Sequence, residues 1–407
     1  MIKRLFEFCL LLSLIVSCSD KNSSDLYHFQ SKHIIDLTDK SDCFDIVDRI
    51  KSIDVLKLTV DDSWVHLRYP RMGISESGYY FFSDYTDYLI GYDNEGNLKF
   101  SKQIKGRGRG EIISVGNFYV RNDSLMIYDR SLGRMLYFTQ DGNFRSYLNQ
   151  SSVKAEKLYK TNNGYLGISI FGAHEFDGHY CVKYDHEGTP LESYLILPDY
   201  YIGYNATIGY TDMSYLFHDT LRFRLMHDYN IFSLTDNGIE SSYRFKSNHE
   251  MPSDYYEGKT GLELMSLEVS AQTYAEGFTD SFSEFAETDN YLMLNFYDNK
   301  KNQMMLLDKK SNKYGLMFGP DSFFDESEVS ELTTLDIWKY IMFSFTRLCV
   351  YDNSIYGCAS YSLYEILSMT ESLHDEKINA FYNQVKDFVT SQNITDGDMF
   401  FFKMNLL

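Results

Sequence analysis

Along most of the chain, short apolar runs alternate with polar turns at the rhythm of β-strands. Paired runs rich in Tyr, Phe, Ile, Leu and Met recur: Tyr79–Ser83 with Tyr88–Tyr92, Leu125–Tyr128 with Arg134–Phe138, Leu221–Met226 with Tyr229–Leu234, and Tyr291–Phe296 with Gln303–Leu307. Aromatic and branched residues suit a pleated surface covered on both faces. An apolar residue, polar residues including Asp, and then Gly form a recurring turn at 92–96, 138–142, 184–188 and 234–238. Its glycines, Gly96, Gly142, Gly188 and Gly238, stand 46, 46 and 50 residues apart, and Leu307–Asn312 is a weaker copy without Gly. Glycine supplies the positive φ that such turns need. Between the paired runs an Asp recurs, at Asp84, Asp129, Asp228 and Asp298. In a hairpin turn such an Asp bonds nearby backbone; the sharper alternative is a ring of carboxylates around a metal.

A period of about 45 residues carrying several short strands is the pattern of a β-propeller blade. Blades are predicted near 64–110, 111–155, 156–205, 206–250 and 283–320, with a sixth built from 347–360 and the chain ends. Residues 245–285 read as an insertion. The rhythm changes after Leu363: Ile366, Leu367, Ile378, Phe381, Val385 and Phe388 fall near helical spacing. They predict one or two amphipathic helices covering core, followed by a last strand at Met399–Met404. The expected fold is an all-β, six-bladed β-propeller over residues 31–407, with a helical insertion at about 363–390.

The first residues follow a different pattern. Lys3 and Arg4 precede Leu5–Val16, an apolar stretch broken only by Glu7, Cys9 and Ser13, and Ser17 is the small residue before a cut. This is the form of a secretory signal, too short to span a membrane comfortably. Ile15-Val16-Ser17-Cys18 resembles a bacterial lipobox, which makes Cys18 the expected lipidation site and residues 18–30 a flexible lipidated tether. Several acyl chains hold a protein on a membrane durably where one does not. Asp20, soon after Cys18, resembles the surface-export signal of Bacteroides-type lipoproteins. The expected address is the outer membrane, facing the periplasm or the exterior.

Charge and cysteine usage narrow the chemistry. The 407 residues carry a net charge of -20, and removing residues 1–17 takes away two cations and one anion, moving it to -21. No basic excess is left to neutralise phosphates, so nucleic acid is not an expected partner. Cys43, Cys181, Cys349 and Cys358 are scattered without C-x-x-C spacing, and the histidines form neither H-x-x-x-H nor H-E-x-x-H. A zinc site and a disulfide framework are therefore not expected. Cys349 and Cys358 lie in adjacent strand candidates, either as a pair or as buried thiols. No G-x-S-x-G nucleophile elbow occurs. No cofactor is expected, with Ca²⁺ as the possible exception and Ca²⁺ or Zn²⁺ required only by an enzymatic alternative.

Three stretches carry a family resemblance: Ile50–Leu58, Lys105–Glu111, and the C-terminal helix followed by Asp396–Met404. Together they resemble the six-bladed β-propeller lipoproteins of Bacteroides and relatives, a family akin to NHL-type propellers. Arg109 and Asp398 stand where that family usually has Pro. The resemblance implies that a strand near 53–58 completes the last blade beside the C-terminal strand, closing the open sheet edge.

Gly106-Arg107-Gly108-Arg109-Gly110 has the look of a phosphate loop, but such a loop must open a helix, and Glu111-Ile112-Ile113 leads toward a strand. It reads as a connector between blades, with Arg107 and Arg109 as candidates for an acidic ligand. Asp123-Ser124-Leu125 and Asp219-Thr220-Leu221 resemble the Bacteroides O-glycosylation sequon, offering Ser124 and Thr220, or are simply strand-entry turns. Inner-strand candidates are Val65–Met72, Ser114–Val120, Leu158–Thr161, Met213–His218 and Leu348–Tyr351, and Arg68, Asn117 and His218 are the candidate ligand contacts. The function expected is a membrane-anchored, non-catalytic binding or scaffold lipoprotein. Its partners would be a glycan, a peptide or a neighbouring envelope protein. The alternative is a metal-dependent hydrolase or lyase acting in the central channel.

Overall fold

The computed structural model describes residues 31–38, 43–67, 70–149, 153, 155–169, 179–196, 214–225, 228–235, 238–252, 255, 276–320, 332–370 and 375–407. Cys18, the tether and Arg68 lie outside them. The first strands are β1 (Ser31–Asp36) and, after a single helical turn α1 (Ile46–Arg49), β2 (Ile50–Leu56). Blade one holds β3 (Arg71–Ser75), β4 (Gly78–Ser83), β5 (Tyr88–Tyr92) and β6 (Leu98–Gln103). Blade two holds β7 (Val115–Arg121), β8 (Ser124–Asp129), β9 (Arg134–Thr139) and β10 (Phe144–Asn149). Blade three is β11 (Lys157–Thr161), β12 (Gly164–Ile168), β13 (His179–Tyr184) and β14 (Pro190–Ile196). Blade four is β15 (Ser214–Phe217), β16 (Thr220–Arg224), β17 (Asn230–Thr235) and β18 (Gly238–Lys246). Blade five is β19 (Asp280–Glu287), β20 (Tyr291–Asp298), β21 (Lys301–Asp308) and β22 (Lys313–Phe318). Helix α2 (Thr334–Ser344) leads into β23 (Thr346–Tyr351) and β24 (Ser354–Ser360) of blade six. Helices α3 (Tyr361–Met369) and α4 (Glu376–Gln392) then precede β25 (Met399–Leu406).

Six antiparallel meanders thus stand in order around a ring, the six-bladed propeller expected. The turn glycines Gly96, Gly142, Gly188 and Gly238 all have positive φ, between 68 and 105°. Alternation along the strands explains the aromatic content. In β8, Leu125 and Ile127 pack toward blade one with Tyr80 and Phe82, whereas Met126 and Tyr128 pack toward blade three with Leu158 and Tyr165. Successive strand residues point to opposite faces, so a blade between two others must be apolar on both. Each such side chain fully buried stabilises the fold by roughly 1.5–3 kcal/mol.

The ring closes between chain ends. β2 lies antiparallel on β25, with Ile53 opposite Met404 and Val55 opposite Phe402, so blade six is three C-terminal strands plus one N-terminal strand. The N-terminal segment reaches further than the sequence indicates. β1 adds a parallel fifth strand to the outer edge of blade four, pairing Ile35 with Phe245. The chain then crosses blade five, where Phe44 N–H donates to the Tyr314 carbonyl at 3.2 Å and the Tyr314 hydroxyl to the Asp36 carbonyl at 2.8 Å, before reaching blade six. One strap therefore belts three blades.

α3 and α4 occupy the predicted helical region and bury Leu363, Leu367, Ile378, Phe381, Val385 and Phe388 against blade six. α2 is an element the sequence reading lacks. A capping box at Thr333 and Asp336 starts it, and Ile337, Trp338, Ile341 and Met342 are buried. Its run of aromatic and branched residues imitates a strand. Among the described residues, no helix is long and apolar enough to cross a membrane.

Candidate functional site

The first strand of each blade lies innermost in its sheet and lines the channel. Four of the five predicted inner strands match β7, β11, β15 and β23 closely. The fifth does not: Asp62–His66 is a 3-10 helix in which Val65 is exposed, and the inner strand begins only at Arg71. Asp61 starts that helix by accepting from Ser63 N–H at 2.9 Å, which turns the chain before it can extend.

Side chains staple neighbouring inner strands together. Asn117 Nδ2 donates to the Leu158 carbonyl at 2.9 Å and its Oδ1 accepts from Leu158 N–H at 3.0 Å. The Tyr119 hydroxyl accepts from Lys160 N–H at 2.7 Å. Tyr159 donates to the Ser214 carbonyl at 3.0 Å, and Tyr215 to Glu287 Oε2 at 2.7 Å. This corrects the ligand role expected of Asn117. At 4% exposure and with both amide ends committed to backbone, it holds blade two to blade three instead of facing a ligand.

The recurring Asp residues do the structural work of their turns. Asp129 accepts from the N–H groups of Ile113 at 3.1 Å, Ser131 at 3.2 Å and Leu132 at 3.3 Å, tying its turn to the entry of β7. Asp84 takes Arg71 Nε on both oxygens at 2.9 Å, at the entry of β3. Asp298 accepts from the Thr279 hydroxyl just before β19, and also from Ser247, His249 and Gln303. Asp228 accepts from Asn230 at 2.7 Å. Each carboxylate is spent inside its own part of the ring, and among the described residues no three His, Cys, Asp or Glu side chains gather as a metal would require.

At the end of the channel where the inner strands begin, the turns of blades one to three enclose a cleft of about 370 Å³. Blade one contributes Arg71, Asp84, Tyr85 and Asp87, and the connector to blade two adds Lys105 and Ile113. Arg130, Glu156 and Lys157 form the far wall. The charged groups are fixed by one another. Arg71 also donates Nη1 to the Gly116 carbonyl at 2.8 Å, Lys105 pairs with Asp87 at 2.9 Å, and Arg130 donates Nε to Ser114 Oγ and Nη1 to Glu156 Oε2, each at 2.8 Å. Tyr85 projects at the rim with 74% of its surface exposed.

Beside this cleft runs the loop 106–110. Gly108 N–H donates to Glu111 Oε2 at 2.7 Å, and a Cβ on Gly106, where φ is 146°, would sit 2.1 Å from the same oxygen. The glycines are needed because the backbone wraps a carboxylate supplied by the chain itself. Arg107 and Arg109 stay exposed on its outside.

The opposite end carries the turns between first and second strands. His218 lies there, not at the cleft: it follows β15 with φ 52°, is exposed, and its Nε2 meets Asp289 at 3.0 Å. Asp219 binds both Arg121 and Asn162, linking the turns of blades two, three and four. Ser124 and Thr220 are half-buried in the same turns. The structure therefore does not bring the two described ligand-contact candidates together: Asn117 is inside a staple and His218 is at the far end. The cleft residues escaped the sequence reading, although Asp84 at a predicted turn and Arg71 at the end of a predicted inner strand were signals for it.

Two further polar groupings lie between blades four and five. A cavity of about 140 Å³ between blades four and five is lined by His249, Asp298, Asn299 and Gln303. Between the same blades, Glu287 is buried and accepts from Arg222 at 3.1 Å, Lys309 at 3.0 Å, Tyr215 at 2.7 Å and Tyr243 at 3.0 Å. Burial alone would raise its pKa; the charges of Arg222 and Lys309, with the hydrogen bonds, outweigh that and hold it below the ordinary carboxylate range.

Comparison with known proteins gives the same architecture. A family model, DUF5128, described as a 6-bladed beta-propeller, matches residues 22–338. A candidate exported protein from Bacteroides fragilis superposes with a TM-score of 0.66 at 14% identity, covering 92% of this chain and 99% of that one. A DUF4221-family protein from Bacteroides vulgatus gives 0.43 at 9% identity over 88% and 99% of the two chains. Virginiamycin B lyase from Staphylococcus aureus gives 0.34 at 12% over 66% and 74%. The first of these likenesses speaks for the shared fold; the other two are too distant to carry an argument. No curated protein matches the sequence.

Proposed function

Since the chain belongs to the DUF5128 family of six-bladed β-propellers, we propose that it is an extracytoplasmic lipoprotein that captures a ligand, without catalysis, in the cleft over blades one to three. The observation that carries this reading is the cleft itself. It sits at a channel mouth where turns of three blades converge, the usual place for a site on such a scaffold. Its Arg71, Lys105 and Arg130 are held by partners already in place, so a ligand meets an ordered surface and little freedom is lost on binding. Its groups are ion pairs rather than a nucleophile beside a base, the arrangement covalent catalysis needs.

The envelope address rests on the lipobox ending at Cys18 and is supported by the description of the Bacteroides fragilis relative as a candidate exported protein. Attachment through Cys18 suits the fold, because the tether would join β1 on the outer edge of the ring, away from the channel mouth. The NHL-type kinship is part of the same reading.

The test has two arms. Labelled palmitate should enter the protein in cells and be lost in the Cys18→Ser variant; equal labelling of both would remove the anchor. The purified protein should melt at higher temperature with members of a glycan and peptide panel, whether or not EDTA, Ca²⁺ or Zn²⁺ is present. A shift that requires metal, with turnover of the ligand, would overturn the non-catalytic reading in favour of a hydrolase or lyase.

A further inference from the structure

We infer that the cleft over blades one to three accepts an acidic carbohydrate, its anionic group held between Arg71 and Arg130. The inference rests on the capture reading above and adds the class of ligand.

Charge is the first observation. The chain as a whole carries -20, yet each of the three carboxylates lining this cleft is paired, Asp84 with Arg71, Asp87 with Lys105 and Glu156 with Arg130. Arg107 and Arg109 stand exposed on the adjoining loop. On a strongly anionic molecule, a concave site whose carboxylates are neutralised and whose approach carries guanidinium groups is where an anion is repelled least.

Hydrogen-bond inventory is the second. A guanidinium offers five donors in a fixed plane. Arg71 spends Nε on Asp84 and Nη1 on the Gly116 carbonyl; Arg130 spends Nε on Ser114 and Nη1 on Glu156. In both, Nη2 has no hydrogen-bond partner among the described residues. Two guanidinium groups are thus locked in plane by neighbours while keeping donors for a guest. Carboxylates and phosphates are the groups that such donors recognise, and a sulfate presents the same array of acceptor oxygens, with little side-chain entropy left to lose.

The remaining surface selects a carbohydrate. A volume of about 370 Å³ is at the small end of ligand sites, which run from about 300 to 1,000 Å³. The lining supplies charges and hydroxyls, with the exposed ring of Tyr85 at the rim and Ile113 beside it. Among the described residues it holds no deep apolar pocket for a peptide side chain. A hydroxyl-bearing ring that stacks on an aromatic face fits this surface better.

The experiment is calorimetric titration of the full protein in detergent with four probes: oligogalacturonate, chondroitin sulfate oligosaccharide, a neutral malto-oligosaccharide and an acidic peptide. Oligogalacturonate or chondroitin sulfate should bind and the neutral sugar should not, with affinity falling as salt rises. The first two probes tell a carboxylate from a sulfate. Arg130→Gln should weaken binding at least tenfold and Tyr85→Ala several-fold, each with its melting temperature nearly unchanged. His218→Ala, at the far end, should bind as the parent does. Equal binding of the neutral sugar, or full binding by Arg130→Gln, overturns the acidic assignment while capture stands. Binding of the acidic peptide alone overturns the carbohydrate. Binding of none of the four overturns the acidic assignment, and if the wider glycan and peptide panel also gives no shift, the capture reading fails with it.

Discussion

Asn117 and Leu158 face each other across the boundary between blades two and three, and the Asn117 amide closes both hydrogen bonds of the Leu158 backbone, at 2.9 and 3.0 Å. The side chain does for two blades what a ladder of backbone bonds does within one. The apolar contacts between blades fix distance but not register. A pair of directional bonds fixes both.

Asn117→Ala should therefore destabilise the fold without touching the cleft lining. It leaves a buried donor and a buried acceptor unpaired, each costing about 1–3 kcal/mol, for a loss of about 2–4 kcal/mol in denaturant unfolding. Asn117→Asp should do no better, because it removes the donor and buries a charge. A loss below about 0.5 kcal/mol would mean that water or a relaxed strand replaces the staple.

The loop 106–110 makes a second prediction. If its glycines exist to wrap Glu111, Gly106→Ala should force that carboxylate out and destabilise the protein by about 1–3 kcal/mol, the range for a strained backbone position. Combining it with Glu111→Ala should cost less than the two changes added, since the clash is gone. Strict additivity in the double-mutant cycle would refute the relationship.

Glu287 links stability to pH. Its folded pKa lies below the ordinary value of 4.5, so its contribution is fully present above that value and is lost as pH falls through the folded pKa. The urea midpoint should drop on acidification below about pH 4.5, more steeply in the parent than in Glu287→Gln. At neutral pH that variant should lose about 3–5 kcal/mol, because Arg222 and Lys309 are left without their counter-charge. Parallel pH profiles for the two proteins would count against it.

Cys43, Cys181, Cys349 and Cys358 should all be free thiols. Cys43 is exposed, whereas burial pushes the Cys358 thiol up to about 12 and Cys181 well up. Less thiolate and less access both slow reaction. With Cys18 replaced, a thiol reagent should modify Cys43 first and reach Cys181 and Cys358 only on unfolding. Four equivalents should be consumed in denaturant without reductant. A count of two would reveal a Cys349–Cys358 bond.

Much of the architecture was legible because its causes are local. Alternation of two along Leu125–Tyr128, glycine at the positive-φ turn of Gly96 and Gly142, and helical spacing from Ile378 to Phe388 all act over a few residues. Two of the elements that escaped show why the rest was not legible. In α2 the aromatic and branched run Ile337–Phe343 resembles a strand, and only the Thr333–Asp336 capping box betrays a helix. β1 is mostly exposed, carries one buried Ile among polar residues, and becomes a strand because β18 offers an open edge.

The sequence by itself determined the six-blade ring and its closure between the chain ends, since repeated periods and turns carry those on their face. Only the tertiary structure decided which polar residues are spent inside the fold and which line the cleft. Asn117 and Leu158 lie 41 residues apart, and Arg71 and Gly116 lie 45 apart. Whether such groups meet depends on how one blade registers against the next. That register is set by residues far apart in the chain, through apolar packing between blades together with directional bonds such as those of Asn117, and no local pattern encodes it.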